Sequence, residues 1–110
     1  TVIIMGDHNS MVADFWEDIG DFKRRMYNCF INLPEETKTQ NIKYRDVTTI
    51  DIFPTTLAAL GVEIEGDRLG LGTNVFSDRQ TLIEELGEEN FGTELKKYSR
   101  YYNDVFVKGE

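Results

Sequence analysis

The chain opens on a run that leaves it little conformational choice. Thr1-Val2-Ile3-Ile4-Met5 is apolar and rich in β-branched residues, and Gly6-Asp7-His8 follows at once. A short apolar run closed by a glycine reads as a buried strand, of the kind found in parallel sheets, rather than as a helix. Gly6 releases the backbone. Asp7 and His8 then stand at the carboxyl end of the strand, where open α/β sheets place their ligands. Adjacent side chains diverge along a continuing strand but converge where the chain turns, so this carboxylate and this imidazole form the beginnings of a divalent-cation site. The same dipeptide also serves as a plain polar turn, because Asp bonds its own backbone. Both readings stand on the dipeptide alone.

The rest of the chain alternates between the two periods. Tyr27-Asn28-Cys29-Phe30-Ile31-Asn32-Leu33 reads as a second strand, with Tyr27, Cys29, Ile31 and Leu33 on one face and Phe30 on the other. Pro34 closes it, since proline has no donor for a ladder. Residues 35–43 are polar and read as a surface loop. Ile50, Phe53, Leu57 and Leu60 recur at helical spacing, which predicts a helix over 51–60 with Asp51 as its N-cap, Pro54 in the first turn and Gly61 as the left-handed stop. Ser77 with Gln80 forms a capping-box pattern for a helix over 78–86, ended by Gly87. A last helix over 94–106 is capped by Thr93 and carries Leu95, Tyr98, Tyr102 and Val105 on a buried stripe that Tyr101 and Phe106 widen. The fold expected is α/β, with at least two strands, Thr1–Met5 and Tyr27–Leu33, and three helices.

Between the strands, Phe15, Ile19 and Phe22 have helical spacing and, with Trp16, predict either a short amphipathic turn on the sheet edge or an aromatic lid beside Asp7 and His8. Gly20 would end that turn. Lys23-Arg24-Arg25 is the one concentrated basic run: a solvated face, or a contact for an anionic head group or phosphate. Gly70-Leu71-Gly72 lacks the third glycine and the preceding strand of a dinucleotide fingerprint, so its role is close packing.

Composition excludes several classes. With 110 residues, 40% of them hydrophobic, the chain has room for one small core. No apolar run approaches the ~18 residues of a membrane-spanning helix, and no stretch reads as a signal peptide. A net charge of −8 argues against a nucleic-acid partner, because phosphate contacts need Lys and Arg. The single Cys29 excludes an internal disulfide, and with no His or second Cys near it in sequence it reads as a small core residue. Thr1 is not an initiator, and a buried-type strand begins without leader or cap. Residues 1–110 are therefore expected to be one piece of a larger protein, with uncovered sheet edges that invite self-association.

Two later stretches carry a resemblance. Thr48-Thr49-Ile50-Asp51-Ile52-Phe53-Pro54-Thr55-Thr56-Leu57-Ala58-Ala59-Leu60-Gly61 resembles the helix that follows the metal-binding Asp-His in the alkaline phosphatase superfamily, particularly its sulfatase-like branch. Arg68-Leu69-Gly70-Leu71-Gly72-Thr73-Asn74-Val75-Phe76-Ser77 resembles the next segment of membrane phosphoglycerol transferases and lipoteichoic acid synthases. The ordered set spans nearly the whole chain.

The resemblance implies the C-terminal part of an alkaline-phosphatase-like α/β sandwich, with Asp7 and His8 as metal ligands. The family's nucleophile, a metal-bound Thr or Ser (formylglycine in sulfatases), and its acidic ligand would lie upstream. Ser10 is not that nucleophile, and these residues alone would be inactive. Asp-plus-His ligation suits Mn²⁺ first, then Zn²⁺ or Mg²⁺, over Ca²⁺ with its all-oxygen shells. The implied partners are a lipid-linked phosphoglycerol donor and an envelope glycopolymer acceptor, at the extracellular face of the cytoplasmic membrane. A sulfatase- or phosphatase-type hydrolase, and a non-catalytic α/β interaction fragment, are the alternatives. Sulfatases follow Asp-His with Gly and later Lys, whereas here Asn9 follows and the first Lys is Lys23.

Overall fold

A computed structural model describes residues 1–9, 11, 17–20, 23, 25–37 and 42–109. Ser10, Arg24 and the aromatic residues Phe15, Trp16 and Phe22 of the expected turn or lid lie outside the described residues; residues 17–19 form a helical turn that ends at Gly20, with Ile19 exposed.

The architecture is mixed α/β, built on two small antiparallel sheets. The first pairs β1 (Val2–Met5) with β2 (Asn28–Ile31). The second is a hairpin of β3 (Arg68–Leu69) and β4 (Gly72–Thr73). The helices are α1 (Thr49–Ala59), α2 (Leu82–Leu86), α3 (Glu88–Leu95) and α4 (Arg100–Tyr102), the last continuing as a π-helical stretch, Asn103–Lys108. Single 3₁₀ turns lie at Glu35–Thr37 and Glu65–Asp67.

The first strand departs from expectation in direction and burial. It runs antiparallel to β2, with Val2 opposite Ile31, Ile3 opposite Phe30 and Ile4 opposite Cys29. Directly opposed residues share a face. Ile3 and Phe30 therefore turn together toward the core, while Val2, Ile4 and Ile31 face outward and are about half exposed. Of the face expected to hold Tyr27, Cys29, Ile31 and Leu33, only Leu33, beyond the strand end, packs on the core. One face of this sheet is covered and the other is not, which is how an antiparallel pair differs from a parallel strand buried on both sides.

Helix α1 buries a different face from the apolar one. Phe53 and Leu60 are largely exposed, and the residues turned inward are Asp51, Pro54, Thr55, Ala58 and Ala59. The cause is Gly72. A Cβ built there would stand 2.0 Å from the Ile50 carbonyl oxygen and 3.0 Å from Pro54 Cγ, so β4 lies backbone-on-backbone against the helix. Such an approach admits only small or hydrogen-bonding side chains between the elements, and the large apolar ones go elsewhere. Pro54 falls in the second turn, and its missing N–H leaves the Ile50 carbonyl without its usual intrahelical donor. Ala58, Ala59 and Phe76 form the core, with Ile3, Phe30 and Leu33 packed against it. The rings of Phe30 and Phe76 meet edge to face at 5.2 Å, which joins the first sheet to the hairpin and helix.

The later helices shift for local reasons. Thr48, not Asp51, is the N-cap of α1; Asp51 is the third helical residue and reaches back to it. Ser77 does not open a helix, because its Oγ donates to the Asn74 carbonyl at 2.7 Å and residues 77–79 are held as a bend. Thr81 caps α2 instead, with Glu84 returning the bond from its side chain. Gly87 ends α2 as expected, at φ +79°, and α3 begins on it. Thr93 lies inside α3, where its hydroxyl bonds the Glu89 carbonyl, and Ser99 caps α4. The expected 94–106 helix is thus split in two. Its stripe is not buried: Tyr98, Tyr101, Tyr102 and Phe106 are all more than half exposed, and the ring of Phe106 meets those of its neighbours Tyr101 and Tyr102. Thr73, Thr81, Asp51 and Thr55 are as buried as any apolar residue.

Candidate functional site

Strand β1 positions Asp7 and His8 by the length of its ladder. The last rung is the Gly6 N–H donated to the Tyr27 carbonyl at 3.0 Å. Beyond it the chain bends at residues 7 and 8. The bend brings the two side chains to one side, with His8 Nε2 3.6 Å from Asp7 Oδ2 and the Asp7 Oδ1 accepting the His8 backbone N–H at 2.9 Å. Both side chains are exposed, Asp7 more than His8.

The ring is oriented by its other nitrogen. His8 Nδ1 lies 2.8 Å from the Asn9 carbonyl oxygen. A carbonyl only accepts, so Nδ1 carries a proton, and Nε2 is the ring nitrogen turned toward the carboxylate. Metal-bound histidines are held in this way, one ring N–H on a backbone carbonyl and the other nitrogen free for the ion. Two ligands ~2.1 Å from one ion at tetrahedral angles stand about 3.4 Å apart, close to the 3.6 Å between Nε2 and Oδ2. The donor set fits a divalent cation. Among the described residues no third His, Cys, Asp or Glu joins the pair.

Of the basic run, the described residues Lys23 and Arg25 both lie beside carboxylates. Lys23 Nζ lies 3.3 Å from Glu88 and 3.8 Å from Asp46, and Arg25 lies 3.8 Å from the same Asp46 carboxylate. Cys29 is a partly buried free thiol, consistent with a packing residue.

Arg45 is the largest feature that periodicity did not reveal. Its Nε and Nη2 take both oxygens of Glu84 at 3.2 and 2.8 Å. Nη1 donates to the carbonyls of Val75 and Ser77, and Nη2 also donates to that of Arg79. The bonds from Arg45 hold the Glu84 carboxyl below the usual carboxylate range against the opposing effect of burial, with Thr81 adding to them. A single Arg in a polar stretch has no sequence signature; only the convergence of 75–79 on it discloses the role. Beside it opens a cleft of about 680 Å³ that includes neither Asp7 nor His8. No helix among the described residues is long and apolar enough to cross a membrane. No family model matches the chain, and no curated protein or solved structure compared with it matches either.

Proposed function

We propose that residues 1–110 are the C-terminal part of a metal-dependent phosphoglycerol transferase of the alkaline phosphatase superfamily. Asp7 and His8 supply two ligands to a divalent ion, Mn²⁺ in first place. The observation that carries this reading is the setting of His8: its Nδ1 proton rests on the Asn9 carbonyl, and its Nε2 faces the Asp7 carboxylate at a ligand-to-ligand separation. The order of the Gly-Asp-His strand, the Asp51–Pro54–Thr55 helix and the Gly70–Gly72 segment supports the same family. Asn9 in place of glycine favours the transferase branch over the sulfatases.

When bound, the ion lowers the pKa of an attacking hydroxyl and neutralises charge on the transferring group. The attacking hydroxyl comes from outside these residues. The contribution of this chain is positional: the bend after Gly6 gathers the two ligands, and Asn9 fixes the tautomer. Asp51 is structural, since both its oxygens are engaged by Thr48 and Thr73. The donor is a phosphatidylglycerol-like lipid, the acceptor an envelope glycopolymer, and the site of action the outer face of the cytoplasmic membrane.

The test is to make Asp7→Ala and His8→Ala in the full-length enzyme, then measure bound metal and transfer of phosphoglycerol from phosphatidylglycerol to a glycolipid acceptor. Both should fall by at least ~10–100-fold, the loss that even an outer-shell partner causes. Variants that keep metal and turnover would reduce the pair to a polar turn. Release of free phosphate without transfer would mark a hydrolase.

A further inference from the structure

The cleft beside Arg45 lies between the 43–46 segment, the bend at 77–79 and the junction of α2 with α3. Its volume, about 680 Å³, falls in the range of small-molecule sites. Arg45 itself is not available to a ligand: five donors make five hydrogen bonds within the protein. It builds the floor. The side chains of Lys43, Tyr44, Asp78 and Gln80 line the cleft and have no hydrogen-bond or ion-pair partner among the described residues.

Tyr44 is the informative one. Its backbone has φ +70°, a conformation that costs an L-residue with a bulky side chain, and it is 91% exposed. Glycine or asparagine would take this turn with less strain. Packing among the described residues does not select the ring either, because it is almost fully exposed. Neither the backbone nor the core accounts for a tyrosine here, and residues held in such conformations cluster at ligand sites. A free ring at the mouth of a polar cleft offers a flat apolar face beside hydrogen-bonding groups.

The charges name the ligand class. The walls carry both signs, Lys43 and Lys23 against Asp46, Asp78 and Glu88. A phosphate or an organic cation would meet like charge on entry. A neutral polyol does not, since each hydroxyl both donates to a carboxylate and accepts from an ammonium group. We infer that this cleft binds a hexopyranoside, with the C–H face of the sugar on the Tyr44 ring and its hydroxyls on Lys43, Asp78 and Gln80. The inference is independent of the metal reading of Asp7 and His8.

The experiment is saturation-transfer NMR on the intact protein with methyl β-D-glucopyranoside, with inorganic phosphate as competitor and Tyr44→Asn as the variant. Asparagine suits the left-handed turn, so the variant should melt at or above the wild-type temperature. The wild type should bind the glucoside saturably, phosphate should not displace it, and Tyr44→Asn should weaken binding roughly 3- to 10-fold, the size of one lost aromatic contact. No saturable binding by the wild type, equal binding by the variant, or displacement by phosphate would each overturn the inference.

Discussion

The carboxylate of Asp51 accepts the backbone N–H of Thr73 on its Oδ1 at 2.8 Å, from a residue 22 positions downstream. Its Oδ2 takes the backbone N–H and the hydroxyl of Thr48 at 2.8 and 3.0 Å. One side chain therefore both starts α1 and fastens it to β4. Thr55, one turn on, repeats the device: its hydroxyl donates to the Asp51 carbonyl at 2.6 Å and accepts the Val75 N–H at 3.1 Å. Asp51 is 1% exposed and Thr55 and Thr73 are fully buried, so these bonds are shielded from water. Charged acceptors of N–H donors near a helix N-terminus are the stronger kind of hydrogen bond.

Asp51→Ala leaves the N–H groups of Thr48 and Thr73 without their acceptor. An orphaned buried donor costs about 1–3 kcal/mol, and denaturant unfolding should show a loss of about 2–4 kcal/mol. Asp51→Asn should lose less, because its amide oxygen still accepts one of the two. Equal stability of Asp51→Ala and wild type would show that α1 does not depend on this tie.

Two glycines in the same hairpin should respond differently to alanine. At Gly72 the new Cβ would sit 2.0 Å from the Ile50 carbonyl oxygen, so helix and hairpin must separate. Overpacking of this kind costs about 1–3 kcal/mol or more, and Gly72→Ala should fall at or above the top of that range. At Gly70 the space is open, but φ is +61°. Gly70→Ala should cost only the left-handed strain, about 1–2 kcal/mol. Thermal melts of the two variants give the order; a reversed order would contradict the close approach at β4.

The sequence announced its helix stops more faithfully than its helix starts or its faces. Gly61 and Gly87 were legible as helix stops because backbone geometry is local, whereas the N-caps expected at Asp51, Ser77 and Thr93 fall instead at Thr48, Thr81 and Ser99. Gly72 was read as a packing glycine, and it is one. The burial pattern of α1 was not legible. Its apolar residues at 50, 53, 57 and 60 have helical spacing, but Gly72 allows a backbone contact that rewards Thr55 and Ala58 instead. The direction of β1 was equally hidden, since its four apolar residues suit a strand covered on both faces and only the pairing with β2 decides. Asp7 and His8 stand at the bend after the strand, where the sequence put them. What orients His8 is a backbone oxygen, which no residue type encodes.

Arg45 and Glu84 should make stability depend on pH in one direction. Glu84 titrates below the ordinary carboxylate value of 4.5 because Arg45 favours its charged form. A depressed folded pKa contributes stability that is fully present above the unfolded value and is lost as pH falls through the folded one. The stability gap between wild type and Glu84→Gln should therefore be widest near neutrality and narrow below about pH 4. Arg45→Ala strands Glu84 and three carbonyls together, at about 3–5 kcal/mol. Arg45→Lys should recover little of this, because an ammonium cannot reproduce the planar fork. A gap that widens in acid would refute the pairing.

The outward face of the first sheet should drive self-association. Val2, Ile4 and Ile31 stand together on it, each about half exposed, and among the described residues each strand pairs on one edge. Sedimentation of the 110-residue chain should show concentration-dependent association. Ile4→Lys, on the exposed face, should return it to a monomer without a comparable loss of melting temperature. A strict monomer at high concentration would count against this.

Metal binding at Asp7 and His8 should be visible without any activity assay. An ion that binds the folded state alone stabilises it by about 2.7 kcal/mol at a hundredfold excess over its dissociation constant. Full-length protein stripped with a chelator should therefore melt lower, and Mn²⁺ should restore the melting temperature. His8→Ala should abolish that shift, because it removes Nε2 and the ring that Asn9 orients. Without metal, the same variant should melt within ~0.5 kcal/mol of wild type, since His8 is exposed and contributes nothing to the core of Ala58, Ala59 and Phe76. The two results together separate a ligand from a structural residue. A His8→Ala protein that still responds to Mn²⁺ would place the ion elsewhere, and one that melts far below wild type without metal would make His8 part of the fold.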